Sequence, residues 1–128
     1  MTRAESVGQF EQLVLTAILT LYGEAYGVTI HGKVQELSQP KPVSLGAVYV
    51  TLDRLEDKGL ISSWLTEPTA ERGGRAKRCY RLEALGERAL EESAATAKRM
   101  WDSIVQVWGR DWAKELGKGG KQWGKGTA

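Results

Sequence analysis

The sequence contains very few of the residues that build disulfides and metal centres. Its 128 residues include one cysteine, Cys79, and one histidine, His31. A single cysteine excludes an internal disulfide and a multi-cysteine metal site, and a single histidine leaves little for metal binding or acid–base catalysis. We therefore expect a protein that is not an enzyme and that needs no metal or other cofactor. Cys79 is expected to be an inert strand residue and His31 an ordinary residue on a helix flank.

Long apolar runs are missing as well. The longest stretches, such as residues 13–15 and 45–50, are much shorter than the ~20 residues of a membrane-spanning helix. Near the N-terminus, Glu5, Gln9 and Glu11 interrupt any apolar segment of the kind found in signal peptides. Hydrophobic residues still make up 41% of the chain, which is enough for a buried core. The expectation is a cytoplasmic globular protein without a membrane partner.

The net charge of +2 is too small to indicate a polyanionic partner by itself, but the charges are unevenly distributed. Residues 72–81 contain five basic residues and no acid, and acidic residues follow between 83 and 92. A local basic patch of this kind is typical of one surface that faces phosphates. The five residues are Arg72, Arg75, Lys77, Arg78 and Arg81.

Apolar residues at steps of three and four predict three helices in the first 59 residues. We expect Gly23 to end the first helix and two prolines, Pro40 and Pro42, to end the second. The third should begin at an N-cap, Ser44, and end at Gly59. The predicted buried stripes are Phe10, Leu13, Val14, Ala17, Ile18 and Leu21; Tyr26, Ile30, Val34 and Leu37; and Leu45, Val48, Leu52 and Leu55.

The opposite face of the third helix is composed of small and apolar residues with one arginine, and Tyr49 lies on its flank. A helix face that is only solvated usually carries more charge. We therefore expect this face to contact a partner. Its residues are Val43, Gly46, Ala47, Val50 and Arg54.

Two strands are predicted next, over residues 60–66 and 77–82, with a Gly73–Gly74 turn in the basic loop between them. Alternation along the second strand predicts that Tyr80 and Leu82 face the core. The same alternation predicts that Cys79 points away from the core, together with Lys77 and Arg81.

A long final helix should run from Glu83 to at least Trp108, with one apolar seam and a second stripe of tryptophans beside it. After Leu116 the chain is rich in glycine and lysine and is expected to be a disordered tail. The predicted organisation is a domain over residues 1–82, a helix over 83–116 and a tail over 117–128. The fold class is mostly α with a small β-hairpin.

Three helices, a hairpin and a long helix are the order of a winged helix-turn-helix followed by a dimerisation helix. The segments FEQLVLTAIL, AYGVTI, VSLGAVYVTLDRLEDKGLISS and ERGGRAKRCYRLEALG resemble the PadR family of bacterial transcriptional regulators. The resemblance covers about residues 8–90. It implies a homodimer that binds a roughly palindromic operator in double-stranded DNA and represses transcription.

The resemblance also implies the DNA-binding residues. Val50 is added because its methyl groups lie on the outward face and can pack on a thymine methyl. One departure from the family is Cys79, which stands where an aromatic residue is common. The expected DNA-binding residues are Ser44, Ala47, Tyr49, Val50 and Arg54 on the recognition helix and Arg72, Gly73, Gly74, Arg75 and Lys77 in the wing.

The final helix admits two interpretations of its tryptophans. Trp101 and Trp108 either fill a dimer interface, which is the favoured interpretation, or stack on a flat aromatic effector, as the resemblance implies for some relatives. An alternative function is a winged-helix interaction module without DNA binding, and a cluster of acids on the recognition face would have favoured it. The expected dimerisation residues are Leu90, Ala97, Met100, Ile104 and Val107.

Overall fold

The computed structural model describes residues 7–68 and 76–119, and side chains as far as residue 109. The elements are α1 (Gln9–Thr20), α2 (Gly27–Ser38), α3 (Leu45–Asp57), β1 (Ile61–Leu65), β2 (Arg78–Leu82) and α4 (Ala84–Gly119). Their order and type confirm the predicted fold class. The chain forms two compact units that divide after Ser93, so α4 begins in the first unit and continues into the second.

Local side-chain hydrogen bonds determine where the first three helices begin. Glu11 accepts a hydrogen bond from the Gly8 N–H at 3.1 Å, and the Thr29 hydroxyl oxygen accepts one from the Tyr26 N–H at 3.0 Å. The Ser44 hydroxyl accepts from the Ala47 N–H at 3.1 Å, which confirms the predicted N-cap of α3. Gly59 follows α3 with a φ of +79°, a conformation that favours glycine.

The core of the first unit is built by all three helices and the hairpin. Three residues of the predicted stripes lie outside it: Tyr26 is only half-buried, and Leu37 and Leu45 are 42% and 39% exposed. Leu37 and Leu45 stand at helix ends, where the helix projects beyond the layer that it packs against. Fully buried side chains include Val14, Leu15, Ile30, Val34, Val48, Leu52, Leu55 and Leu60.

β1 and β2 form an antiparallel hairpin in which Ser63 pairs with Tyr80 and Trp64 with Cys79. The prediction that Cys79 points outward is wrong, since it is as buried as Tyr80. The reason is a third extended segment beside β2. The Tyr80 N–H donates to the Ala25 carbonyl at 2.8 Å, and Tyr26 forms a bridge with Cys79. The chain that precedes α2 therefore extends the sheet next to Cys79.

The first turns of α4 pack closely on the first unit. A Cβ on Gly86 would overlap the Leu60 carbonyl oxygen, so this position accepts only glycine without a backbone shift. Ala89 is buried, and Leu90 is half-buried against the core. Among residues 7–68 and 76–119, none of the helices combines the length and apolar composition needed to cross a bilayer.

Candidate nucleic-acid interface

The outward face of α3 is exposed and carries no charge over its first two turns. Ser44 and Ala47 lie at the solvent, and Val50 is 57% exposed. Single apolar side chains are common on protein surfaces. Val50, however, continues a strip of small residues along the same face of α3. The face can therefore approach a flat or grooved partner without desolvating a charge.

A groove of about 460 Å³ runs between α3, the start of α2 and the base of the hairpin. Tyr49 lies across it, and its hydroxyl end reaches Gly27 at the first turn of α2. A Cβ at Gly27 would overlap the Tyr49 ring and hydroxyl. The glycine therefore leaves the space that the tyrosine occupies. The groove is lined by Tyr26, Gly27, Val28, Tyr49, Asp53, Ala76, Lys77, Arg78 and Tyr80.

Two cations lie along the hairpin side of this groove. Lys77 Nζ stands 3.8 Å from the centre of the Tyr26 ring, a cation–π contact that leaves the ammonium group at the groove. Arg78 Nη1 donates to Ser63 Oγ at 2.8 Å, and Ser63 Oγ donates to Glu56 at 2.8 Å. The base of the predicted wing thus holds its cations in defined places. Arg72, Gly73, Gly74 and Arg75 lie outside the described residues.

Arg54 is exposed on α3. Glu56 and Asp57, two acids of its own helix, are close enough in sequence to pair with it. Within the described residues no such ion pair is present. Glu56 instead accepts the hydrogen bond from Ser63. The positive charge of Arg54 acts on Glu11 of α1, whose pKa it helps to lower.

An ion pair holds the C-terminal end of α3 on α1. Lys58 Nζ lies 3.0 Å from Glu11 Oε2, and the Glu11 side chain is only 10% exposed. Burial raises the pKa of Glu11, but hydrogen bonds from Lys58 and the Gly8 N–H, with the charges of Lys58 and Arg54, outweigh it and hold the pKa below its usual value. The carboxylate therefore stays ionised and links α1 to the end of α3.

Several groove residues were not found by sequence reasoning. Tyr26 was assigned to the core stripe of α2, and Asp53 is an acid on α3 that was not singled out. They line the groove because β2 and the start of α2 lie beside α3. A single acid in the groove is not the cluster of acids that would have favoured the interaction-module alternative.

Two tryptophans of the final helix, Trp101 and Trp108, are exposed in the second unit. Trp101 is 53% and Trp108 52% exposed, and Met100, Ile104 and Val107 lie at the surface as well. A shallow depression of about 330 Å³ beside Trp108 is lined by Ser103, Ile104 and Val107. Of the expected dimerisation residues, Leu90 differs from the others because it packs partly on the core of the first unit.

The fold and this interface define a class of protein. A core of three helices, with a hairpin beside the third helix and a groove between them, is a winged helix-turn-helix domain. A family model described as the transcriptional regulator PadR-like family matches residues 14–92, more than half of the chain. The chain belongs to the PadR-like family of transcriptional regulators, as its sequence segments indicated.

Solved structures of the same fold include two PadR relatives of similar size. A PadR-like transcription factor from Bacteroides fragilis is 29% identical with a TM-score of 0.60, covering 78% of this chain and 90% of that chain. A PadR family regulator from Clostridium difficile R20291 is 27% identical with a TM-score of 0.57, covering 82% and 99%.

A third structure is Bacillus subtilis PadR in complex with operator DNA, at 24% identity and a TM-score of 0.55. The match covers 66% of this chain and 46% of that chain, and it shows the shared fold. Comparison with curated proteins gave no significant match.

Proposed function

We propose that this protein is a sequence-specific DNA-binding regulator that acts as a homodimeric repressor on a palindromic operator. The observation that carries the proposal is the uncharged, exposed face of α3 beside a groove with Lys77 and Arg78. Such a face suits the major groove, where a helix reads base edges. A relative of the same fold, Bacillus subtilis PadR, was solved with operator DNA, which supports the assignment by analogy.

The proposed division of labour in DNA binding, between the exposed face of α3 and the wing, follows from the chemistry of these two surfaces. Ser44, Ala47 and Val50 offer a hydroxyl and methyl groups to base edges, which distinguish sequences. Lys77, Arg72 and the other wing cations meet phosphates, which fix position but carry no sequence information. The glycines at 73 and 74 allow the wing backbone to come close to DNA. Tyr49 lies across the groove between α3 and the hairpin. Both Tyr49 and Arg54 are assigned to phosphate or base contact.

The second half of α4 is the proposed dimerisation surface. Met100, Ile104 and Val107 form one exposed apolar row with Ala97, and an apolar row of this kind is typical of a helix-pairing seam. Leu90 contributes to the core of its own chain and so supports the start of the helix. In this proposal residues 1–82 bind DNA, 83–116 form the dimer and 117–128 are a tail.

A mobility-shift assay over a salt series tests DNA binding. A duplex recovered by selection from a randomised pool is compared with a shuffled duplex of the same composition. We expect tighter binding to the selected duplex and a steep fall of affinity with salt for both, because each neutralised phosphate releases counterions. Binding that is independent of salt and of sequence would reject the proposal and favour an interaction module.

A small aromatic effector is a further part of the proposal. Trp101 and Trp108 are seven residues apart on one side of α4 and exposed, so a planar ligand can stack on them. Such a ligand regulates DNA binding only if it binds two dimer arrangements unequally. Tryptophan fluorescence titrated with planar aromatic compounds should show saturable quenching that is lost in Trp101→Ala or Trp108→Ala. If no compound quenches, the tryptophans serve only the dimer interface.

A further inference from the structure

Two side chains on one face of α2 hold both backbone polar groups of Val43. His31 Nε2 lies 2.7 Å from the Val43 carbonyl oxygen, and Gln35 Oε1 accepts a hydrogen bond from the Val43 N–H at 3.3 Å. Residues four apart are neighbours on a helix surface, so the two side chains reach the same point from adjacent turns. Val43 itself packs partly on the core.

The chemistry of the His31 contact is fixed by its partner. A carbonyl oxygen only accepts hydrogen bonds, so Nε2 must carry a hydrogen. The neutral ring with its hydrogen on Nε2 satisfies this requirement, and so does the protonated ring. The half-buried ring is thus oriented toward the α2–α3 connection.

Apart from the contacts of Val43, the hydrogen bonds within the described connection between α2 and α3 join Ser38 and Lys41, including one from the Lys41 N–H to the Ser38 carbonyl at 3.0 Å. Pro40 and Pro42 have no N–H groups, so the backbone between α2 and α3 can offer fewer hydrogen bonds than usual. Ser38 Oγ donates to the Lys41 carbonyl at 3.0 Å. Val43 is the first residue after the prolines with an N–H, and α2 side chains bind both of its polar groups.

Val43 directly precedes the start of the proposed recognition helix. Ser44 is the N-cap, and its oxygen atoms accept from the N–H groups of Ala47 and Val48 at 3.1 and 3.3 Å. Hydrogen bonds therefore run from α2 through Val43 to the first turn of α3. Ser44 and Ala47, which are proposed to meet base edges, lie in that turn.

We propose that His31 and Gln35 are positioning residues that set where α3 begins and thereby determine discrimination between DNA sequences. The proposal rests on the proposed function. Base contacts need their side chains held within about 0.5 Å of the productive geometry, and supporting hydrogen bonds provide that precision. If one of these hydrogen bonds is lost, the first turn of α3 can move relative to α2, while Lys77 and Arg78 keep their contacts at the base of the hairpin.

Paired variants separate the hydrogen bond from the bulk of the side chain. His31→Leu removes the donor, whereas His31→Gln keeps an amide donor at a similar reach. Gln35→Met removes the acceptor, whereas Gln35→Glu keeps one. Glu36→Gln is the control, because Glu36 lies on the same helix and bonds to Lys33. The probes are the selected duplex and its shuffled counterpart at one salt concentration.

The measured quantity is the ratio of affinities for the selected and the shuffled duplex. His31→Leu and Gln35→Met should lower this ratio about tenfold, comparable to one mismatched base pair. The affinity for the shuffled duplex should stay near that of the unaltered protein. His31→Gln, Gln35→Glu and Glu36→Gln should keep the ratio. Amide hydrogen exchange at Val43 and Ala47, measured without DNA, should accelerate only in His31→Leu and Gln35→Met.

Three results would overturn this proposal and leave the proposed function standing. In the first, His31→Leu and Gln35→Met each keep the ratio of affinities, and in the second, His31→Gln is as defective as His31→Leu. The second result would mean that the imidazole itself is required. If the unaltered protein does not discriminate between the duplexes, the proposed function fails first and this proposal with it. The third result, unchanged hydrogen exchange in His31→Leu and Gln35→Met, would reject the positioning role whatever the DNA result.

Discussion

At the scale of single residues, Glu11 has two partners that belong to different parts of the fold. One oxygen caps α1 through the Gly8 N–H, and the other binds Lys58 just after α3. Because the pKa of Glu11 is lowered in the folded protein, its stabilising contribution is present above the ordinary value of 4.5 and is lost as pH falls through the lowered pKa.

We therefore expect Glu11→Gln to lower the free energy of unfolding by about 1–3 kcal/mol at pH 7, because it weakens a charged hydrogen bond and leaves Lys58 unpaired. The difference from the unaltered protein should shrink as pH falls below 4.5. Urea unfolding at several pH values measures this difference in the free energy of unfolding. Glu36→Gln breaks an exposed pair and should change stability by less than about 0.5 kcal/mol. Equal effects of the two variants would contradict the assignment.

Gly27 and Tyr49 form a second contact between single residues that can be tested by substitution. Gly27→Ala places a methyl group where the Tyr49 hydroxyl lies, so the exposed tyrosine must leave the groove. If Tyr49 donates to a phosphate, DNA affinity should fall about tenfold, as for other hydrogen bonds to charged groups, while the fold stays stable. Mobility shifts and thermal unfolding measure the two quantities.

Gly32→Ala is the matched control for Gly27→Ala, because it lies on α2 with nothing within 4 Å of the added Cβ. In a Tyr49→Ala background, Gly27→Ala should have no further effect on DNA affinity, since the two changes act through one contact. Additive effects of the two changes would mean that Gly27 acts independently of Tyr49.

At the scale of elements, α3 and the hairpin should differ in what they contribute to DNA binding. Arg72→Ala, Arg75→Ala and Lys77→Ala should weaken binding to selected and shuffled duplexes alike. The slope of log affinity against log salt concentration, called the salt slope here, should become shallower by roughly one unit for every phosphate that the variant no longer neutralises. Ala47→Glu or Val50→Glu should instead weaken binding to the selected duplex more strongly than to the shuffled one.

Arg99→Ala controls for the removal of one positive charge, because Arg99 lies in the second unit and bonds to Thr96. It should leave the salt slope near that of the unaltered protein. Should the wing variants alter sequence preference and keep the salt slope, the wing reads bases and the division of labour is reversed.

At the scale of the whole molecule, the exposed apolar row on α4 is expected to be covered by a second copy. Met100→Glu combined with Ile104→Glu should convert the dimer to a monomer, since each buried side chain of this size contributes about 1.5–3 kcal/mol. Light scattering measures the mass, and circular dichroism verifies that the first unit remains folded. Because a dimer presents two recognition helices to two half-sites, operator affinity should fall as well.

Ala95→Glu combined with Gln106→Glu is the matched control, with the same added charge on the opposite side of α4. It should remain a dimer. If the Met100 and Ile104 double variant is a folded dimer by light scattering, the interface lies elsewhere on the chain.

The sequence by itself determined the features that depend on nearby residues. The Ser44 cap, the Gly59 stop and the apolar periodicity of α1, α2 and α3 act within one or two turns, so they are readable from spacing. The order of elements then predicted the winged helix, and the exposed face of α3 followed from the same periodicity.

Only the tertiary structure decided features that join distant parts of the chain. Cys79 is buried because Ala25 and Tyr26 lie beside β2, more than fifty residues away in sequence. His31 and Gln35 reach Val43 only because α2 and α3 pack at one particular angle. The groove between Tyr49 and Lys77 exists because β2 and the start of α2 lie beside α3. Side-chain periodicity tells which face of an element is apolar, but the packing of elements determines which distant polar groups meet.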